Sequence, residues 1–177
     1  MAAEHLSKRD NWQRGANLIG KAGENAWALA HALYMPDHYE WRKAHKVVIY
    51  PDGRGIVPDL ILTNTLTGMS VYWEIKSGNN GGNAHERAYK YLSQPACEDI
   101  RKASPNLNLI DDPIMFGFVG RTFSGDAFIT EGKNPSKVYP SRYQEELSLF
   151  LRGRNWFTLN EDHSWAEKNA TQIMEIV

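Results

Sequence analysis

Apolar residues recur along this chain with two different periods, which predict helices and strands in alternation. Over 17–34 they recur at steps of three and four, from Ile19 to Leu33, which predicts a helix that ends before Pro36. β-branched and aromatic runs predict strands at 46–50, 56–62, 70–76, 113–119, 127–130 and 155–159. Helical periodicity predicts further helices at 83–102, with a break near Pro95, and at 141–151 and 164–177. Helices before and between strands predict an α/β fold, with a mixed β-sheet flanked by helices.

The strands predicted at 56–62 and 70–76 are joined by the turn sequence TNTLTG, so they form a predicted β-hairpin. Side chains alternate between the two faces of a strand. In the second strand, Trp73 therefore shares an apolar face with its neighbours two residues away, while Glu74 and Lys76 lie together on the other face. The pattern predicts that a carboxylate and an ammonium group project into the same environment.

Asp59, which follows Pro58 on the first strand of the hairpin, is expected to lie close to Glu74. Two neighbouring carboxylates repel each other unless a cation lies between them, and Mg²⁺ (magnesium) binds well through one or two carboxylates. Lys76 could then contact a substrate phosphate or activate a water molecule. The alternative is that both carboxylates face solvent or cap turns, because Pro-Asp is a common turn dipeptide.

The segment GGNAHER predicts a helix start with unusual side chains directly after the hairpin. Asn83 and Arg87 are one helical turn apart, and these residue types can bind adenine and the acceptor edges of purines. The small residues Gly82 and Ala84 allow close approach to a base pair. Alternatively, Asn83 is an N-cap and Glu86 completes a capping box, which explains the same residues without a ligand.

Composition limits the classes of protein that the chain can belong to. At 177 residues, with 42% hydrophobic and 23% charged residues, it suits one globular domain spanning 1–177. Its formal net charge of -1 gives no overall basic signal, so any nucleic-acid binding would need a local basic cleft. The single Cys97 excludes intrachain disulfides and a cysteine-rich zinc site, and it fits a reducing cytoplasm. The sequence has neither a signal-peptide pattern nor an apolar run long enough for a membrane.

Two motifs together resemble one known group of enzymes. Pro58-Asp59 followed by Glu74-Ile75-Lys76 resembles the motif of the PD-(D/E)XK nuclease superfamily. The string GNAHER resembles the recognition-helix motif of the EcoRI/MunI branch of type II restriction endonucleases, and it is more similar to MunI than to EcoRI. Weaker similarity extends to AGEN in the first helix, NTLTG in the hairpin turn and the later FGFVGRTFSGD.

The resemblance implies a restriction-endonuclease fold and a catalytic mechanism. In such an enzyme Asp59, Glu74 and the Ile75 carbonyl would bind Mg²⁺, and Lys76 would position the attacking water. Hydrolysis would leave a 5′-phosphate and a 3′-hydroxyl. The expected protein is a homodimer of prokaryotic cytoplasm that cuts palindromic double-stranded DNA containing AATT, with no membrane partner. A cognate methyltransferase would protect host DNA without needing to bind the nuclease.

The resemblance also implies how the DNA sequence is read. The implied DNA-contacting residues all lie at the start of the predicted helix: Gly82, Asn83, Ala84, His85 and Arg87. Glu86 would support these side chains. Only residues 77–81 separate Lys76 from the GNAHER string, a shorter segment than in EcoRI or MunI, which predicts either a site of AATT alone or loose reading of the outer base pair.

Two other functions agree with part of this pattern. A repair or junction-resolving nuclease could share the catalytic motif and use GNAHER only as a helix cap. A catalytically silent DNA-binding protein could share the fold, although its Asp59, Glu74 and Lys76 would then have no catalytic task.

Overall fold

The computed structural model describes residues 20–77, 91–92, 94–120 and 156–177. Within these residues the helices are α1 (20–32), α2 (Gln94–Lys102) and α3 (Ala166–Met174). The strands are β1 (Tyr39–Lys43), β2 (Val47–Val48), β3 (Gly55–Ile56), β4 (Leu60–Asn64), β5 (Met69–Ser77), β6 (Asn108–Val119) and β7 (Trp156–Leu159).

Five of these strands form one mixed sheet in the order β1-β4-β5-β6-β7. β1, β4 and β5 are antiparallel neighbours, whereas β5, β6 and β7 run parallel. Strands β2 and β3 pair separately as a short antiparallel ribbon. The β4–β5 hairpin and the α/β class with a mixed sheet and flanking helices are confirmed.

The central strand β5 is covered on both faces, which accounts for its unbroken run of buried residues. On one face Trp73 packs in a core cluster with Trp27 of α1 and Ile173 of α3. On the other face Tyr72 packs in a second cluster with Ile100 of α2. The predicted alternation of faces along β5 is therefore confirmed, and both faces are buried from Ser70 to Ile75.

Proline positions explain two departures from the predicted strands. The strand predicted at 56–62 is split into β3 and β4, because Pro58 has no N–H group to donate to a ladder. Strand β6 begins at Asn108, earlier than predicted, and Pro113 lies at a register shift between the pairs Ser70–Leu109 and Tyr72–Ile114. Proline within sheets is typically found at such irregularities.

The helix predicted at 83–102 is interrupted near Pro95, as expected, because α2 begins at Gln94 with proline in its first turn. Strand β1 was not predicted. Residues 83–90 and the elements predicted at 127–130 and 141–151 lie outside the described residues. Among the described helices, none has the length and apolar character needed to cross a bilayer.

Candidate active site

The candidate site lies where β4 begins and β5 approaches its end. The antiparallel register pairs Leu60 with Trp73, so Asp59 comes opposite Glu74. The Asp59 amide donates to the Trp73 carbonyl at 2.8 Å. The carboxylate of Asp59 accepts a 2.7 Å hydrogen bond at Oδ2 from the Ile75 amide. The interruption between strands β3 and β4 at Pro58 thus places the acidic side chain of Asp59 beside β5.

Glu74 and Lys76 share one face of β5 and are in direct contact. The ammonium Nζ of Lys76 donates to Oε1 of Glu74. The side chain of Glu74 is 1% exposed and that of Lys76 is 16% exposed. The structure therefore brings together all three side chains that the sequence motif singled out, and two of them carry charge in a largely buried position.

This proximity changes the protonation behaviour of Asp59. Burial, in the first place, and the negative charge of Glu74, in the second, raise the pKa of the Asp59 carboxyl from 3.8 to about 6. The Ile75 amide and the Lys76 ammonium oppose this rise without cancelling it. The site therefore has an excess of negative charge, and a bound cation would relieve it.

The donor set agrees with Mg²⁺ bound by few protein groups. No cluster of three or more His, Cys, Asp or Glu residues within the described ranges could hold a metal ion. Mg²⁺ typically uses one or two carboxylates and completes its octahedral shell with waters and substrate phosphates. Asp59 and Glu74 supply that number of carboxylates, and the Ile75 carbonyl remains a predicted third ligand.

A further carboxylate, Glu24 of α1, lies near this site and was not expected there. Helix α1 approaches the end of β5 closely, because a Cβ on Gly23 would lie 2.7 Å from the Cβ of Ser77. Glu24 adds to the charge that raises the pKa of Asp59. Its Oε2 lies 2.5 Å from Nζ of Lys43, and its side chain is only 16% exposed. The sequence alone left two interpretations of Glu24 open, a carboxylate near the metal and a solvated helix glutamate, and it favoured the second. The structure shows a largely buried side chain near Asp59.

The predicted DNA-reading residues Gly82, Asn83, Ala84, His85 and Arg87, with the supporting residue Glu86, lie outside the described residues. Their roles remain predictions from the sequence. The described residues thus include the three side chains of the predicted catalytic motif but not the predicted DNA-reading segment.

Comparison with known proteins gives one likeness among solved structures. The chain is similar to the MunI restriction endonuclease, solved as a crystal structure in complex with cognate DNA, at 21% identity and a TM-score of 0.49. The match covers 93% of this chain and 94% of that one. No family model matches the sequence, and no curated protein matches it either. At this identity and TM-score, the likeness assigns neither an activity nor residue roles to the present chain.

Proposed function

We propose that this chain is a Mg²⁺-dependent nuclease that hydrolyses double-stranded DNA. The observation that carries the proposal is the contact between a buried Glu74 and Lys76 beside Asp59, whose pKa is raised to about 6. Burying charges beside like charges is costly for folding, and such arrangements cluster at functional sites. A carboxylate pair next to a lysine suits phosphodiester hydrolysis, in which a negatively charged group must be bound and a water activated.

Each residue of the site has a defined task in this reaction. Held by Asp59, Glu74 and the Ile75 carbonyl, Mg²⁺ would polarise the scissile phosphate and offset its negative charge. Asp59 must lose its proton to serve as a ligand, so the raised pKa requires a pH above about 6 or a cation to displace the proton. Glu74 holds the Lys76 ammonium at the site, from which it would orient the attacking water.

The bond changes follow from in-line attack on phosphorus. The water oxygen forms a bond to phosphorus, and the bond between phosphorus and the 3′ oxygen breaks. The water gives up a proton, and the departing 3′ oxygen takes one to become a hydroxyl. The products are therefore a 5′-phosphate and a 3′-hydroxyl.

We further propose that the enzyme is a homodimeric type II restriction endonuclease whose palindromic site contains AATT. The support is the GNAHER string, in which Asn83 and Arg87 would read adenines and Glu86 would hold them in place. A cognate methyltransferase would protect host DNA.

The direct test of the chemistry uses isosteric variants of the two carboxylates. Asp59→Asn and Glu74→Gln should retain the wild-type circular dichroism spectrum, lose calorimetric Mg²⁺ binding and stop cutting plasmid DNA. The matched control is Asp52→Asn, since Asp52 is exposed and bonds only locally to Arg54. If a folded Asp59→Asn or Glu74→Gln protein cuts at nearly the wild-type rate, the assignment of the site is wrong.

The cleavage pattern of the wild-type protein separates the proposed function from its alternatives. Discrete plasmid fragments support a restriction enzyme. A smear, or selective cutting of branched DNA, supports a repair or junction-resolving nuclease. Binding without any cutting supports a catalytically silent DNA-binding protein.

A further inference from the structure

A second lysine, Lys43, lies beside the candidate active site on a neighbouring strand. It is the last residue of β1, and its Cα pairs with that of Leu60, the first residue of β4. The amide of the next residue, Ala44, donates to the Asp59 carbonyl at 3.2 Å. The backbone that carries Lys43 is therefore adjacent to the backbone that carries Asp59.

The two side chains of the ion pair between Lys43 and Glu24 differ in their exposure to solvent. The side chain of Lys43 is 63% exposed, whereas that of Glu24 is 16% exposed, and their charged atoms lie 2.5 Å apart. A largely buried carboxylate needs a partner, but an exposed ammonium group does not. The pair fixes the position of the exposed Lys43 ammonium beside Glu24, whose charge lies near enough to Asp59 to raise its pKa.

The charges around the site show why a second positively charged side chain, besides Lys76, would help the site to bind DNA. Three carboxylates, Glu24, Asp59 and Glu74, face two ammonium groups, those of Lys43 and Lys76. Lys76 is largely buried and bonded to Glu74, so it is poorly placed to attract DNA from solution. Lys43 is exposed, and its flexible four-carbon side chain can reorient toward an approaching phosphate.

We propose that Lys43 binds a backbone phosphate of DNA next to the cleaved bond, and that Glu24 is a positioning residue that holds Lys43 until this phosphate replaces it. The inference rests on the proposed nuclease function. It adds a phosphate contact on β1 and an exchange of partners, from carboxylate to phosphate, that accompanies DNA binding.

The first test measures binding rather than cutting. A duplex containing AATT is titrated with protein in the presence of EDTA at several salt concentrations. Lys43→Ala should weaken binding and lower the slope of log K against log salt by about one, because one fewer phosphate is neutralised. An unchanged slope would overturn the proposal.

Lys102→Ala is the matched control, since it removes the same charge from the far end of the sheet. Lys102 ends α2, and the following strand β6 begins beside Met69, the first residue of β5. This variant should retain the wild-type affinity and slope. An equal loss in Lys43→Ala and Lys102→Ala would show a general charge effect and would overturn the role of Lys43.

The second test measures the exchange of partners. Glu24→Gln frees Lys43 and should tighten EDTA-stable DNA binding several-fold, whereas the exposed Glu175→Gln should not. In a Lys43→Ala background the gain from Glu24→Gln should become much smaller. An equal gain in both backgrounds would mean that Glu24 acts only through its own charge, and the proposed exchange would be wrong.

The outcomes also separate this inference from the function on which it rests. If the wild-type protein neither binds nor cuts DNA, the proposed function fails. If it cuts DNA while Lys43→Ala, confirmed as folded by thermal melting, binds with the wild-type slope, only the role of Lys43 fails.

Discussion

At the scale of single residues, Asp59 shows what it costs a fold to bury a carboxylate beside a second acidic side chain. Its pKa rises from 3.8 to about 6 because the side chain is buried and lies beside Glu74. Between these pH values the native protein holds a proton that the unfolded chain has released. Stability is therefore lost as the pH rises through this range, and the loss is complete above about 6.

Asp59→Asn is accordingly expected to stabilise the protein while it removes activity. An asparagine keeps an acceptor for the Ile75 amide but carries no charge. The free energy of unfolding at pH 8, measured in urea, should increase by roughly 1 to 3 kcal/mol over wild type. The gain should disappear at pH 3. A loss of stability at pH 8 would show that the charge of Asp59 is already compensated in the free protein.

At the scale of secondary-structure elements, the contact between α1 and the end of β5 determines where Glu24 lies. A Cβ on Gly23 would lie 2.7 Å from the Cβ of Ser77, a distance that requires the helix or the strand to shift. Gly20 lies in the same helix, and no atom of the described residues lies within 4 Å of a Cβ added there. The two glycines therefore make a matched pair.

Gly23→Ala should destabilise the protein by about 1 to 3 kcal/mol, because overpacking outweighs the gain in helix propensity. Gly20→Ala should instead stabilise it by about 0.5 to 1 kcal/mol. Urea unfolding of both variants checks the difference in sign. If Gly23→Ala is as stable as Gly20→Ala, α1 does not pack tightly on β5, and the placement of Glu24 beside the site loses its support.

The sequence allowed prediction of those elements that depend on residues close together in the chain. Alternation along β5 predicted which side chains share a face, and Pro58, which has no N–H group to donate, explains why the strand predicted at 56–62 is divided. Strand β1 was missed because its alternation of Tyr39 and Trp41 with charged residues is short. The Glu24–Lys43 pair could not be predicted, since it depends on how α1 packs across the sheet. The Gly23-Glu24 dipeptide was the one available signal, as glycine inside a helix often permits a close approach.

At the scale of the whole molecule, a buried histidine links global stability to pH. His31 is fully buried, its Nδ1 lies 2.7 Å from the Trp27 carbonyl, and its ring packs between Trp27 and Trp41. Burial, with a smaller contribution from the charge of His163, lowers the pKa of His31 from 6.5 to about 4, although the hydrogen bond to the Trp27 carbonyl opposes this shift. In the unfolded chain His31 takes up a proton below a pH of about 6.5, whereas in the native protein it does so only below a pH of about 4. The free energy of unfolding therefore decreases as the pH falls through this window.

The protonation of His31 is expected to lower the free energy of unfolding by up to about 3 kcal/mol as the pH falls from 6.5 to 4. Replacing it with an aromatic residue, His31→Phe, should remove this contribution, so the difference in unfolding free energy between wild type and variant should change with pH across this window, while the opposite contribution of Asp59 is the same in both proteins. The exposed His45→Gln serves as the control for loss of one histidine. If His31→Phe retains the full wild-type slope, other groups account for acid sensitivity.

The most direct measurement of the central claim is sequencing of the DNA ends that the protein makes in a random-sequence library with Mg²⁺. Wild-type protein and Asp59→Asn are incubated in parallel. We expect the wild-type ends to carry 5′-phosphates and to fall at sites that all contain AATT, and we expect no such ends from Asp59→Asn. Ends scattered without a common sequence would contradict the restriction specificity. Equal cutting by Asp59→Asn, or no cutting by the wild-type protein, would contradict the proposed active site.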